Sequence, residues 1–117
     1  MSSTQQDIAR RVAMRLSTEF GHNLPATLEA QLLGAGAPPQ RYEIATIVAV
    51  ATLILEVAKF GWEVYLDRKK NARPVDADSM GRTIRLQLSA TLSLPDAQRD
   101  RVIQTVVEEI LNSSAST

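Results

Sequence analysis

Apolar side chains recur along this chain at the three- and four-residue intervals of an α-helix. The longest such segment runs from Tyr42 to Lys70, YEIATIVAVATLILEVAKFGWEVYLDRKK, and is apolar around most of its circumference. One narrow stripe interrupts it: Ala45, Ala49, Thr52, Glu56, Lys59 and Glu63, alternately four and three residues apart, fall on one side of a helix. A helix apolar on so many sides needs partners on several of them.

Helical punctuation predicts what flanks it. Thr4 and Asp7 form a Thr-x-x-Asp capping pattern, after which Ile8, Val12, Leu16 and Phe20 make a stripe that ends at Gly21. Pro25 suits the first turn of a second, short helix with Leu28, Leu32 and Leu33 on its apolar side. Residues 34–39, Gly-Ala-Gly-Ala-Pro-Pro, read as a linker, because glycine weakens and proline forbids continuation of a helix. The central helix is then predicted over 40–71, a rod of roughly 48 Å at 1.5 Å per residue. A compact domain of this size is about 35 Å across. Either the rod bends, with Gly61 the natural place, or one end projects, the end from Trp62 to Arg73 being the candidate.

Beyond Asn71 and Pro74, residues 76–112 predict a second hairpin, with Asp76, Asp78 and Ser79 as caps. The segment Thr83 to Leu94, TIRLQLSATLSL, alternates polar and apolar residues as a strand does. Read instead as a helix, Met80, Ile84, Leu88 and Leu92 form a stripe at spacing four. No other segment alternates comparably, so a strand here would lack a sheet within the chain. A faint internal repeat, Leu16-Ser17 followed by Leu24-Pro25 and Leu88-Ser89 followed by Leu94-Pro95, also favours helix. The last helix opens at Pro95 and Asp96 and buries Val102, Ile103, Val106, Val107, Ile110 and Leu111; residues 113–117 are expected to form a disordered tail. The reading is one all-α domain over 1–117: a long central helix packed by two short helical hairpins, 1–33 and 76–112. The alternative is an α+β fold in which a strand at 83–94 pairs between chains.

Composition narrows the function classes. Thirteen basic residues balance thirteen acidic ones, which argues against a nucleic-acid binder. There is no cysteine, hence no disulfide, thiolate metal site or cysteine nucleophile. The opening MSSTQQDIARR lacks the apolar core of a secretory signal, so a cytoplasmic location is the expectation. Three of the five aromatics, Phe60, Trp62 and Tyr65, sit together near one end of the central helix.

Candidate chemistry is sparse. His22, the one histidine, lies in a turn with no carboxylate or serine spaced to act with it. Gly34-Ala35-Gly36 has no lysine to reach a phosphate, and Asp76 and Asp78 are accounted for by capping, with no third oxygen ligand at a useful spacing. Glu108 and Glu109 are adjacent and point about 100° apart on a helix. Arg10, Arg11 and Arg15 give the first helix a basic side, read as a solvated face or as a weak contact for phosphate or an acidic partner. No catalytic residue, cofactor, metal or small-molecule substrate is expected.

Glu56, Lys59 and Glu63 stand apart because they interrupt an apolar helix. Lys59 reaches Glu56 at spacing three and Glu63 at spacing four, so the triplet is either a wet face or a register-setting contact between subunits. A membrane is the third reading: Tyr42 at one end and Trp62, Tyr65 and Arg68-Lys69-Lys70 at the other resemble the flanks of a spanning helix. Yet the charge-free stretch, Ile44 to Leu55, is short of the roughly 20 residues a span needs. Glu56 and Lys59 would each cost up to about 3 kcal/mol near the bilayer centre, against roughly 0.3 to 0.6 returned per apolar residue.

The expectation is a non-enzymatic helical module for protein interaction or self-assembly, an adaptor or assembly subunit whose partner is a protein or a second copy. Its interface residues are predicted to be Glu56, Lys59, Phe60, Trp62, Glu63 and Tyr65. The alternative is a small membrane-associated protein that inserts the 42–70 helix, as an oligomeric bundle or pore.

Overall fold

The computed structural model describes residues 3–33, 42–73, 75–88 and 95–115. They form five helices: α1 (Ser3–Phe20), α2 (Leu24–Leu32), α3 (Tyr42–Lys70), α4 (Ala77–Gln87) and α5 (Asp96–Ala115). The fold is all-α, with no strand among the described residues. The predicted linker, 34–39, and the second half of the 83–94 alternation lie outside them.

Each helix end has a local cause. α1 stops where Gly21 takes φ +118°, a conformation that favours glycine; its N–H donates back to the Ser17 carbonyl at 2.9 Å. Pro25 stands in the first turn of α2. α4 is capped by Asp76, whose carboxylate accepts from the Ser79 N–H at 2.7 Å. α3 ends in Arg68, Lys69 and Lys70, which complement the negative end of its dipole, and is closed by Ala72 at φ 55° with the Arg73 N–H donating to the Arg68 carbonyl at 2.8 Å. The 83–87 part of the alternating segment is helical, and Leu88 breaks out at ψ 128°. α5 continues to Ala115, past the predicted end at 112, so residues 113–115 are helix and not tail.

α1 and α2 pack on each other and on α3, and α4 and α5 do the same; α1 and α5 also pack together, so α2, α1, α5 and α4 form an arc around α3 that stays open between α2 and α4. The core sits along α3: Val50, Leu53, Ile54 and Val57 meet Ile8, Val12 and Leu16 of α1, Leu24 and Leu28 of α2, Met80 and Ile84 of α4, and Ile103, Val106 and Ile110 of α5 in one buried cluster. At 29 residues α3 is roughly 43 Å long. The molecule measures 46 × 27 × 23 Å, so it is elongated enough to take the helix along its long axis. α3 runs uninterrupted through Gly61. There the missing side chain serves close packing: a Cβ would lie 2.6 Å from Ile110 Cδ1 and 3.3 Å from Ile84 Cδ1.

Candidate interaction surface

The polar stripe of α3 divides into two parts with different fates. Toward the N-terminus it lies under α2: the Thr52 hydroxyl donates to Gln31 Oε1 at 3.4 Å, and Gln31 Nε2 donates to the Val48 carbonyl at 3.4 Å. One turn further, Glu56, Lys59 and Glu63 emerge into solvent. They are exposed, and no ion pair among the described residues joins them to one another or to the rest of the chain.

The aromatics predicted beside them are distributed differently. Tyr65 is only 7% exposed and belongs to the core, which leaves little of it to meet a partner. Trp62 is half-buried against that core, and the two rings stack with centroids 5.2 Å apart and planes 27° off parallel. Lys69 Nζ stands 5.8 Å from the centre of the Tyr65 ring, a cation–π contact. Phe60 is half-buried and points to the other flank of the exposed strip. There it lines an open cleft of about 400 Å3 between α3 and α4, with Glu63, Val64 and Asp67 on one wall and Thr83 and Gln87 on the other. Arg68 ties the walls, donating to the hydroxyls of Ser79 and, at 2.8 Å, of Thr83.

Four large apolar residues among the described ones are exposed, Met14, Leu33, Leu66 and Leu86; none is a predicted interface residue, and Leu33, predicted on the apolar side of the second helix, instead stands just past its end at 80% exposure. Leu66 follows Lys59 by seven residues and so continues the outward face of α3. Leu86 is the most exposed of them at 82%. Its signal was present in the pattern, since the stripe Met80, Ile84, Leu88 leaves Leu86 on another side of the helix.

The basic side of α1 is used within the chain. Arg15 pairs with Glu108 at 2.8 Å and Glu109 at 3.2 Å, Arg11 with Glu109 at 3.4 Å, and Arg10 with Glu29 of α2. Arg101 of α5 pairs with Glu19 at 2.9 Å. All but the Arg10–Glu29 pair run along the α1–α5 seam, and the Glu108 hydrogen bond holds the Arg15 pKa above its ordinary value even though desolvation works the other way. Most are partly exposed, so each adds little to stability; together they fix the register of two helices far apart in sequence.

Among the described residues no three His, Cys, Asp or Glu side chains are grouped so as to hold a metal ion. Asp76 is engaged as the α4 cap, and His22 is exposed in the turn after α1. No helix among the described residues is long and apolar enough to cross a membrane. No family model, no curated protein and no solved structure matches the chain.

Proposed function

We propose that this chain is a non-enzymatic helical interaction module, an adaptor or assembly subunit that offers the outward face of α3 from Glu56 to Leu66 to a protein partner or to another copy of itself. Four helices pack against α3, while this strip retains Phe60 and Leu66 among charges that no ion pair among the described residues neutralises. That last property carries the reading: Glu56, Lys59 and Glu63 interrupt an apolar helix yet make no ion pair in the described structure. Apolar contact through Phe60 and Leu66 supplies attraction, and the charges select partner and register. Trp62 and Tyr65 hold the strip in place from behind. No cofactor, small-molecule substrate or nucleic acid enters this role, and it is compatible with the cytoplasmic location expected from the N-terminal sequence.

The test is site-specific photo-crosslinking in expressing cells. A photoreactive residue at position 56, 59 or 63 is expected to give discrete higher-mass adducts, while one at Thr18 on the exposed side of α1 gives none. Adducts no stronger from the three α3 positions than from position 18 would overturn the proposal.

A further inference from the structure

Arginine and lysine are used differently in this chain. Six arginines, Arg10, Arg11, Arg15, Arg85, Arg99 and Arg101, pair with carboxylates of the chain, and Arg68 donates to two hydroxyls. All three lysines, Lys59, Lys69 and Lys70, are exposed on α3, and none is in an ion pair among the described residues; Lys69 stands over the Tyr65 ring. At about 100° per residue, Lys59, Leu66 and Lys70 fall within about 40° of one another, and Leu55, Trp62 and Lys69 follow on one side, a stripe about 100° wide. Leu66 is 47% exposed, and Leu55 and Trp62 are half-buried. Neighbouring acids lie off this stripe: Glu63 and Asp67 line the α3–α4 cleft together with Arg73, and Glu56 shares their flank of the helix. Asp76 caps α4, and Asp78 lines the cleft between α4 and α5.

We infer that this stripe docks on the headgroup surface of a bilayer rich in anionic lipid, with α3 lying in the plane of the surface, Leu66 and Trp62 at headgroup level and the lysines against the lipid phosphates. Such a surface selects these residue types: tryptophan at the interface, an apolar side chain that dips below the headgroups, and cations on long apolar stems that keep their charge in water. Protein interfaces are depleted in lysine and enriched in arginine, yet none of the chain's ten arginines falls among these six positions. A nucleic acid calls for arginine forks or an open aromatic face, and Tyr65 belongs to the core. Each lysine near an anionic surface raises the partition by a factor of about five. One exposed leucine adds little to that, so the contact is peripheral, reversible and governed by salt. It uses the flank of α3 away from the α4 cleft and does not depend on the protein-docking role of Phe60 and the glutamates.

Vesicle co-sedimentation of the full chain tests it, with Trp62, the one tryptophan, as an optical reporter inside the stripe. At low salt the chain is expected to pellet with vesicles of phosphatidylserine and phosphatidylcholine in equal parts, with a blue shift of Trp62 emission, and to stay in solution with phosphatidylcholine alone. Lys69→Gln combined with Lys70→Gln is expected to lower the partition at least about tenfold. Glutamine keeps the helix propensity and sets no negative charge on the end of the helix dipole, so the fold is retained, and far-UV circular dichroism checks it. Leu66→Ser is expected to lower the partition severalfold, and Arg82→Gln, at an exposed cation outside the stripe, to leave it unchanged. A chain that ignores the anionic vesicles overturns the inference. So does one that binds both kinds of vesicle alike, a lysine double variant that binds like wild type, or an equal loss in Arg82→Gln. Retention on polyglutamate through the two lysines, without vesicle binding, would assign the stripe to an acidic protein instead.

Discussion

Adding one methyl group at Gly61 tests how closely α3, α4 and α5 approach one another. By helix propensity alone Gly61→Ala is favourable, by about 0.8–1.0 kcal/mol. Against this, the new Cβ would lie 2.6 Å from Ile110 Cδ1 and 3.3 Å from Ile84 Cδ1, both methyls of fully buried side chains. Each is the tip of a side chain inside the buried cluster, so displacing it disturbs further core contacts, and overpacking of this kind costs about 1–3 kcal/mol. The net expectation is a loss of roughly 1 kcal/mol, with packing winning over propensity. Gly81→Ala is the matched control: its Cβ meets only Ile103 Cγ2 at 3.9 Å, an ordinary contact, so it should stabilise by roughly 0.5–1 kcal/mol. Ile110→Val removes the offending methyl and alone costs about 0.5–1.5 kcal/mol. Combined with Gly61→Ala it should cost clearly less than the sum of the two, a coupling of about 1 kcal/mol. Urea titrations followed by far-UV circular dichroism measure all four proteins. The packing argument fails if Gly61→Ala is more stable than wild type, or if the pair with Ile110→Val is additive.

Three further outcomes follow from helix ends and the aromatic pair. Ala72 closes α3 at φ 55°, which costs a non-glycine residue about 1 kcal/mol, so Ala72→Gly should raise the urea midpoint by a corresponding amount; a lowered midpoint would refute the cap geometry. Asp76→Ala removes the acceptor for the Ser79 N–H and should cost about 1 kcal/mol, with a chemical-shift change at the Ser79 amide as the local readout. Trp62→Ala should cost about 3 kcal/mol, the low end for removing a large aromatic because the ring is half-buried; a loss of assembly without any loss of stability would instead make Trp62 a contact residue outright.

The parts of the fold that depend on near neighbours in sequence were legible. Gly21, Pro25 and Asp76 mark their helix ends because the conformations they permit are properties of single residues. The 83–87 segment shows why periodicity alone can mislead, since T-I-R-L-Q alternates like a strand while Ile84 lies in the buried stripe of a helix with Met80. Tertiary relations were less readable. A glycine in a long helix gives the same one-dimensional signal for a bend and for a close approach, and only the positions of Ile84 and Ile110 decide for the latter at Gly61. The pairing of Arg11 and Arg15 with Glu108 and Glu109 needed the α1–α5 adjacency, which no local pattern encodes. At the candidate surface, Glu56, Lys59 and Glu63 stood out because charge on an apolar helix is conspicuous. Tyr65, one of the predicted interface residues, lies in the core because an amphipathic ring gives no hint of which side of the helix the core will claim.

The size of the uncovered strip limits what it can do alone. From Glu56 to Leu66 it is eleven residues, roughly 16 Å long and about 10 Å wide, or on the order of 160 Å2. A stable interface buries about 800 Å2 on each partner, so the α3 strip by itself is too small by a factor of about five. Any durable contact must extend onto a neighbour, and α4 is the one that already shares a cleft with Phe60, through Thr83 and Gln87. Even so enlarged, the surface is rich in exposed charge, which favours weak and electrostatically selected association over an obligate assembly. Opposed charges at an exposed rim are screened beyond about 10 Å at 0.1 M salt and beyond about 3 Å at 1 M. Association through this surface, measured by sedimentation, should therefore weaken as salt is raised. A tight dimer indifferent to salt would place the interface on apolar surface elsewhere, where Met14 and Leu33 are the exposed candidates.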